Sequence, residues 1–132
     1  MTTIKELDLN YAMPHIHLEH TDNIHIADIM DLFKSINDIL VKLVNIKVEN
    51  CKSRAIKFNN FYIEPNDNNK GFVHLQINIL EGRTKEIKSK IGLESLKVLK
   101  SFITKNTVGC SIQCSMEIRE LKRSNYFTTN SI

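Results

Sequence analysis

The sequence predicts an α/β protein built from two β-α-β units that share one mixed sheet. Two segments, Pro14 to His20 and Phe72 to Leu80, alternate apolar and polar residues with the period of a half-buried strand. Each is followed by a segment with the apolar spacing of an amphipathic helix, Ala27 to Leu43 and Lys85 to about Lys105. A further β-rich segment follows each predicted helix, which completes the order strand, helix, strand twice.

A weak internal repeat supports the two-unit interpretation. The segment from Ile16 to Glu19 and the segment from Val73 to Gln76 share an apolar-His-Leu-polar pattern, and each precedes a helix of similar length. Because β-α-β crossovers are right-handed, both helices are expected on one face of a four-stranded mixed sheet. We expect the opposite face to be apolar and not covered by the helices.

The first unit contains the predicted strand from Pro14 and the first predicted helix. Asp22 or Asn23, between them, is predicted to be a turn or N-cap residue. The second strand is predicted within Asn50 to Ile63. The apolar stripe of the helix is predicted to comprise Ile29, Met30, Phe33, Ile36, Leu40 and Leu43.

The second unit follows a polar run, Glu64 to Gly71, which is predicted to be a surface loop because Pro, Asn, Asp and Gly favour turns. Thr84 is the predicted cap of the second helix. Cys110 to Leu121 is the predicted last strand, before a polar tail. The buried face of the second helix is predicted to comprise Ile87, Ile91, Leu96 or Val98, Leu99, Phe102 and Ile103.

Composition narrows the class of protein. A chain of 132 residues with 42% apolar residues suits one domain, which we place at residues 14–132 after an extension at residues 1–13. A net charge of +3, scattered Lys residues and the absence of Trp argue against a nucleic-acid partner. No apolar run is long enough to cross a membrane, and residues 1–13 carry charges that a signal peptide would not have.

Three cysteines, Cys51, Cys110 and Cys114, are an odd number without the spacing of a disulfide framework. They are therefore expected to be reduced thiols in a cytoplasmic protein. A metal site is not favoured, because neither the cysteines nor the histidines follow the spacing of common zinc sites. The histidines concerned are His15, His17, His20 and His25.

Pro14 is the most informative single residue, because it directly follows Met13. If translation starts at that Met and the Met is removed, Pro14 carries a secondary amine. An α-amino group has a pKa of roughly 7.7 to 8, and burial in an apolar pocket would favour its neutral, basic form. Pro14 would then be a general base near neutral pH. The alternative is a proline at the first residue of an edge strand, where its missing N–H costs little.

Motifs across the chain carry a resemblance to a known family. In chain order they are Pro14-His15 with Glu19, Asp22-Asn23-Ile24, Ala27-Asp28 with Leu32-Phe33, Ser53-Arg54-Ala55, Phe72-Val73-His74, Gly82-Arg83, and Glu117-Ile118 with Glu120-Leu121. Their order and spacing resemble the 5-carboxymethyl-2-hydroxymuconate isomerases, a branch of the tautomerase superfamily. That superfamily also includes 4-oxalocrotonate tautomerase and macrophage migration inhibitory factor.

The resemblance implies a tautomerase-like fold, a homotrimer and a cofactor-independent isomerase with Pro14 as its catalytic base. It implies that Arg83 binds a substrate carboxylate, although an exposed turn Arg is the simpler interpretation. Lys52 and Arg54 match the family's Arg-Ser-Arg only in part, and Lys52 lacks the two-pronged geometry of guanidinium. They are either a substrate-binding pair or solvated charges on one face of a strand.

The expected reaction moves a proton within an unsaturated 2-hydroxy or 2-oxo dicarboxylic acid, without metal or other cofactor. The expected partners are this small dicarboxylate and two further copies of the chain. The alternative from another class is a catalytically silent trimer that binds small acids or a protein, because the extension blocks Pro14. His74 is expected to be a packed strand residue, and Phe127 and Asn130 align with the family's tail, where they border the pocket or a subunit contact.

Overall fold

The computed structural model describes residues 14–65, 69–103 and 111–129. The predictions for residues 1–13, Lys105, Cys110 and Asn130 lie outside these described residues. The helices and strands are β1 (His15–Thr21), α1 (Ile29–Val44), β2 (Lys52–Phe58), β3 (Lys70–Leu80), α2 (Lys85–Ile103) and β4 (Ser111–Leu121), with short 3-10 turns at Val48–Asn50 and Arg123–Asn125.

The four strands form one mixed sheet in the order β2-β1-β3-β4. Strand β2 is parallel to β1, β4 is parallel to β3, and β1 is antiparallel to β3. A parallel pair needs a crossover connection, and α1 and α2 supply one each. The predicted pair of β-α-β units and the mixed sheet are therefore confirmed.

The core lies between the sheet and the two helices. Alternate residues of β1 and β3 are buried, as the period of two requires. Burying one such Leu or Ile side chain stabilises the fold by about 1.5–3 kcal/mol. The fully buried members include Ile16 and Leu18 of β1, Leu75 and Ile77 of β3, Leu32, Ile36 and Leu40 of α1, and Ile91, Leu99 and Ile103 of α2.

Helix α1 departs from the prediction at its start. Its N-cap is Asp28, whose side chain accepts a hydrogen bond from the backbone N–H of Asp31 at 3.1 Å, whereas Asp22 and Asn23 form a turn, which is the other role predicted for them. Met30 was placed in the apolar stripe but is 65% exposed, whereas Ile39 is buried. The residue that caps the helix sets its start, and the apolar spacing alone could not distinguish the candidates.

The second unit agrees more closely with the prediction. The hydroxyl of Thr84 accepts a hydrogen bond from the backbone N–H of Ile87 at 3.2 Å, as expected of the cap of α2. Strand β3 begins two residues earlier than predicted, at Lys70. Strand β2 lies within the predicted segment from Asn50 to Ile63, and the chain leaves the sheet after Phe58.

The face of the sheet opposite the helices, which we call the open face, is polar, and the prediction of an apolar face is wrong. The strand register places alternate residues of neighbouring strands side by side, so that they form rows across this face. The open face comprises Lys52, Arg54 and Ile56 of β2, His15, His17 and Glu19 of β1, His74, Gln76 and Asn78 of β3, and Ser115, Glu117 and Arg119 of β4. None of the helices among the described residues has the length and apolar character needed to cross a membrane.

Candidate active site

Pro14 lies at one end of the sheet, immediately before β1, and is buried. Its carbonyl accepts a hydrogen bond from the backbone N–H of Lys52 at 3.0 Å, which fixes the start of β2 beside it. His15, the next residue, is opposite Asn78 near the end of β3. Strands β1 and β2 therefore begin, and β3 and β4 end, at what we call the Pro14 end of the sheet.

Arg83 reaches the last residue of α1 from the turn between β3 and α2. Gly82 makes that turn with φ 117°, a conformation that favours glycine. The Nη2 group of Arg83 donates a hydrogen bond to the carbonyl of Val44 at 3.3 Å. Within the described ranges, the Nε group is buried and has no hydrogen-bond partner. Arg83 therefore supports the carboxyl end of α1 and still offers a buried donor to an anion.

The charge of Arg83 is held in a cationic, partly desolvated environment. Burial lowers the pKa of its guanidinium, and the nearby Arg123 lowers that pKa further. The carboxylate of Glu81 accepts a hydrogen bond from the backbone N–H of Arg123 at 2.8 Å, which holds this second cation close. A bound carboxylate would relieve the repulsion between the two guanidinium groups.

Lys52 and Arg54 lie on the open face, opposite His15 and His17 respectively. The Nζ group of Lys52 donates to the carbonyl of Glu49 at 3.0 Å. The Nη2 group of Arg54 contacts Nδ1 of His15 at 2.8 Å and Nε2 of His17 at 3.1 Å. Because guanidinium can only donate, both imidazole nitrogens must accept, and both histidines are neutral in this arrangement.

His15 continues this network to Tyr126. With Nδ1 accepting from Arg54, the proton of the ring is on Nε2, which donates to the Tyr126 hydroxyl at 2.8 Å. Burial lowers the pKa of both His15 and His17, and the charge of Arg54 lowers each further. Burial also raises the pKa of Tyr126.

The sequence did not predict this histidine and tyrosine network. It indicated His15 only as part of the Pro14-His15 motif, did not favour the histidines as metal ligands and did not single out Tyr126. The polar residues that alternate with the apolar core of β1 were the available signal for His15 and His17. For Tyr126 there was no such signal, because its position depends on the chain reversal after β4.

The predicted binding cations reach the Pro14 end from two sides. Arg83 comes from the helix layer, where it contacts α1, and Arg54 comes from the open face. His15 pairs with Lys52 on one side and with Asn78 on the other, and Asn78 pairs with Arg119. Arg119 and Lys52 therefore lie in one row across the open face. At the end of the sheet where Pro14 is buried, Arg83 therefore lies on the helix side, and Lys52, Arg54 and Arg119 lie on the open face.

Two cavities lie towards the opposite end of the sheet. One of about 520 Å³ is lined by residues that include His20, His25 and Lys57, and one of about 380 Å³ is lined by residues that include Phe72 and Ser115. Neither includes Pro14 or Arg83. His74 is on the open face, where it contacts Ser115 and Glu117, and Phe127 is 78% exposed.

The described part of the chain contains no group of three or more His, Cys, Asp and Glu side chains that could hold a metal ion. Cys51 and Cys114 are free thiols. Burial raises the pKa of both, that of Cys51 to about 11, so both thiols are protonated at neutral pH.

Comparisons with known proteins place this geometry in a family. The family model described as 5-carboxymethyl-2-hydroxymuconate isomerase matches residues 14–132. The crystal structure of a 5-carboxymethyl-2-hydroxymuconate isomerase from Deinococcus radiodurans R1 is 25% identical, with a TM-score of 0.81 and 93% of each chain covered. A sequence search of curated proteins gave no match.

More distant structures share the fold. A 5-carboxymethyl-2-hydroxymuconate delta-isomerase is 12% identical, with a TM-score of 0.71 and 83% of each chain covered. A Q0 fused 4-OT described as a wild type symmetric trimer is 10% identical, with a TM-score of 0.67, and the match covers 85% of this chain and 89% of that one. The fold is tautomerase-like, and from residue 14 onward the chain belongs to the 5-carboxymethyl-2-hydroxymuconate isomerase family.

Proposed function

We propose that the protein is a cofactor-independent isomerase that moves a proton within an unsaturated 2-hydroxy or 2-oxo dicarboxylic acid, such as 5-carboxymethyl-2-hydroxymuconate. Family membership supports an isomerase or tautomerase. The observation that carries the proposal is the position of Pro14, buried at the end of the sheet at which β2 begins with Lys52 and Arg54 and the turn after β3 carries Arg83. A base beside several cations suits a dianionic substrate with an acidic proton.

The amine of Pro14 takes the proton from the 2-hydroxyl group of the dienol and returns it to a carbon further along the conjugated system. No atom is gained or lost, and the amine is regenerated at the end of each turnover. Burial favours the neutral amine over the charged one, which brings its pKa towards working pH. The step needs Pro14 as the first residue, because an amide nitrogen has no basic lone pair.

The cations bind the two carboxylates and stabilise the dienolate formed when the proton leaves. Arg83 offers its buried Nε group, and a guanidinium binds a carboxylate with two parallel hydrogen bonds. Arg54 uses Nη2 for the two histidines, so its Nε and Nη1 groups would serve the substrate. Lys52 supplies charge without the fixed two-pronged geometry. Fixed charges of this kind often provide the largest share of rate enhancement.

A homotrimer is part of the proposal. Strands β2 and β4 are the outer strands of the described sheet, and outer strands present backbone groups that can pair with another chain. The polar open face suits the lining of a water-filled space between subunits better than a dry interface. The structural neighbour described as a symmetric trimer supports this assembly.

Replacing Pro14 tests the chemistry. In protein that begins at Pro14, we expect Pro14→Ala to slow the conversion of 2-hydroxymuconate from enol to keto form by at least about 100-fold, the usual contribution of a positioned base. The matched control is Pro65→Ala, which changes an exposed proline in the loop before β3. The conversion is followed by ultraviolet absorbance.

Full activity in the Pro14→Ala protein would contradict the proposal. Activity in neither the parent nor the variant would favour the alternative, a silent trimer that binds small acids. Calorimetric titration with the same dicarboxylate would then measure binding without turnover.

A further inference from the structure

A serine, a histidine and a glutamate form a hydrogen-bonded chain on the open face, away from Pro14. His74 of β3 is directly opposite Ser115 of β4, and Glu117 follows on the same face. Nδ1 of His74 contacts the Ser115 hydroxyl at 2.7 Å, and Nε2 contacts the Glu117 carboxylate at 2.9 Å. The Nη2 group of Arg119 donates to the same carboxylate oxygen at 3.2 Å.

The proposed chemistry uses the neutral form of the imidazole. The carboxylate of Glu117 can only accept, so Nε2 of His74 donates to it, and in the neutral ring Nδ1 then accepts the hydrogen bond of the Ser115 hydroxyl. The hydrogen bonds from His74 and then from Arg119 lower the pKa of Glu117, so its carboxyl group is ionised at neutral pH. A hydroxyl, a base and an orienting carboxylate in this order are the parts of an activated nucleophile.

A cavity of about 380 Å³ adjoins the hydroxyl of this chain. Ser115 lines it together with the aromatic ring of Phe72, the aliphatic side chain of Ile63 and the polar residues Lys70 and Gln113. A volume of this size holds a small molecule with an apolar group and a polar one. Gln113 also lines the cavity, and the N–H groups of its side-chain amide would be donors to a developing oxyanion.

We propose that Ser115 is a nucleophile for acyl transfer from small carboxylic esters, with His74 as its base and Glu117 orienting the imidazole. Oγ of Ser115 attacks the ester carbonyl carbon and its proton passes to Nδ1 of His74. The bond to the leaving alcohol breaks, and that alcohol departs with the same proton. Water then attacks the acyl-serine by the same route, which releases the carboxylic acid and restores the serine.

This activity is separate from the isomerase proposed above. His74 is opposite Glu19 in β1, four residues along the strand from His15, which is about 13 Å at the usual rise per residue. The step uses neither a free amine at Pro14 nor Lys52, Arg54 or Arg83. The two proposals can therefore fail independently.

The test is covalent labelling of the full chain with a fluorophosphonate, which phosphorylates activated serines. Intact mass counts the adducts and peptide mapping locates them, so the parent protein gives the result without any substitution. We expect one adduct at Ser115, formed at least about ten times more slowly in His74→Gln and in Glu117→Gln. The matched control is Ser89→Ala, which removes an exposed serine of α2 that does not line this cavity.

The same proteins are then assayed for hydrolysis of 4-nitrophenyl acetate, and we expect Ser115→Ala to abolish the enzyme-dependent rate while Ser89→Ala leaves it unchanged. Thermal melting of each variant distinguishes loss of folding from loss of the base. An adduct pattern that omits Ser115 in the parent would overturn the proposal. An equal labelling rate in the parent and in folded His74→Gln would overturn it as well, because Ser115 would then react without its base.

Discussion

At the residue scale, Arg83 illustrates how a side chain that is proposed to bind substrate also contributes to the fold. Its Nη2 group satisfies a carbonyl at the end of α1, where a helix leaves such groups unpaired, and its buried Nε group has no hydrogen-bond partner among the described residues. A cation near a helix C-terminus is also favoured by the helix dipole. The Gly82-Arg83 motif predicted a functional Arg at this turn, but only the packing of α1 revealed its structural contact.

Replacing Arg83 should separate the two carboxylates of the substrate. We expect Arg83→Ala to raise KM for a dicarboxylate about 10- to 100-fold, because a hydrogen bond to a charged group contributes about 1.5–3 kcal/mol. KM for a matched monocarboxylate should change far less. Arg83→Lys, which keeps the charge without the fork, should lie between. Equal effects on the two substrates would show that Arg83 does not bind the second carboxylate.

The Arg54 network predicts how stability depends on pH. The pKa values of His15 and His17 are lowered from 6.5 in the folded protein, so the unfolded chain binds protons first as pH falls. Stability should therefore decrease as pH falls from about 7 through 6, a window above the titration of most carboxylates. The charged groups that face these rings are Arg54, Lys52, Glu19 and Arg119.

Urea denaturation of the parent and of the His15→Gln, His17→Gln double variant between pH 7.5 and 5.5 measures this dependence. The variant should lose less stability than the parent over this range. His25→Gln is the control, because it removes a histidine outside the network. If the urea concentration at the unfolding midpoint of the parent protein rises as the pH falls, the assignment of neutral histidines is contradicted.

At the element scale, the start of α1 depends on one residue with an unusual backbone conformation. Asp28 has φ 46°, a left-handed conformation that Asp and Asn adopt more easily than other non-glycine residues, and its carboxylate caps the helix. The sequence predicted a turn or a cap at Asp22 or Asn23, and periodicity did not indicate Asp28 as the cap. The tertiary contact of Asn23 explains the difference, since its amide donates to the carbonyl of Lys70 at 2.6 Å and joins β1 to β3.

The stability of variants at Asp28 should depend on two properties of the new residue, its ability to cap the helix and its tolerance of positive φ. Asn has both properties, so Asp28→Asn should change the free energy of unfolding by less than about 0.5 kcal/mol. Asp28→Ala loses the cap and is strained at positive φ, and we expect it to cost about 2 kcal/mol. Asp28→Gly loses only the cap and should lie between. Urea denaturation measures all three, and equal stability of the Ala and Asn proteins would contradict this account of the helix start.

At the scale of the whole molecule, the sequence predicted the topology well and the surfaces less well. The period-two and helical segments predicted both β-α-β units, because Ile16, Leu75 and their neighbours occupy one face only. His15, His17 and Glu19 indicate a polar open face, because they alternate with the buried residues of β1. The prediction of an apolar face rested instead on the expectation that a face without helices needs to be covered. The contacts of Arg54 with these histidines could not be predicted, because they depend on the register between β1 and β2.

The assembly is testable by mass. Sedimentation at micromolar concentration should give three times the chain mass of 15.3 kDa. Ile56, 55% exposed on the outer strand β2, is expected to be covered in the trimer, so Ile56→Lys should favour smaller species. Val41→Lys, at a 38% exposed apolar residue of α1, is the matched control. A folded monomer in the parent protein would contradict the trimer.

The central claim is that the amine of Pro14 is the base, and the most direct measurement compares two forms of the same chain. Turnover of 2-hydroxymuconate is measured for protein that begins at Met1 and for protein that begins at Pro14, with intact mass to verify each first residue. The account predicts a folded but nearly inactive longer form, at least about 100-fold slower, because its Pro14 nitrogen is an amide. Equal turnover by the two forms would show that Pro14 is not the base.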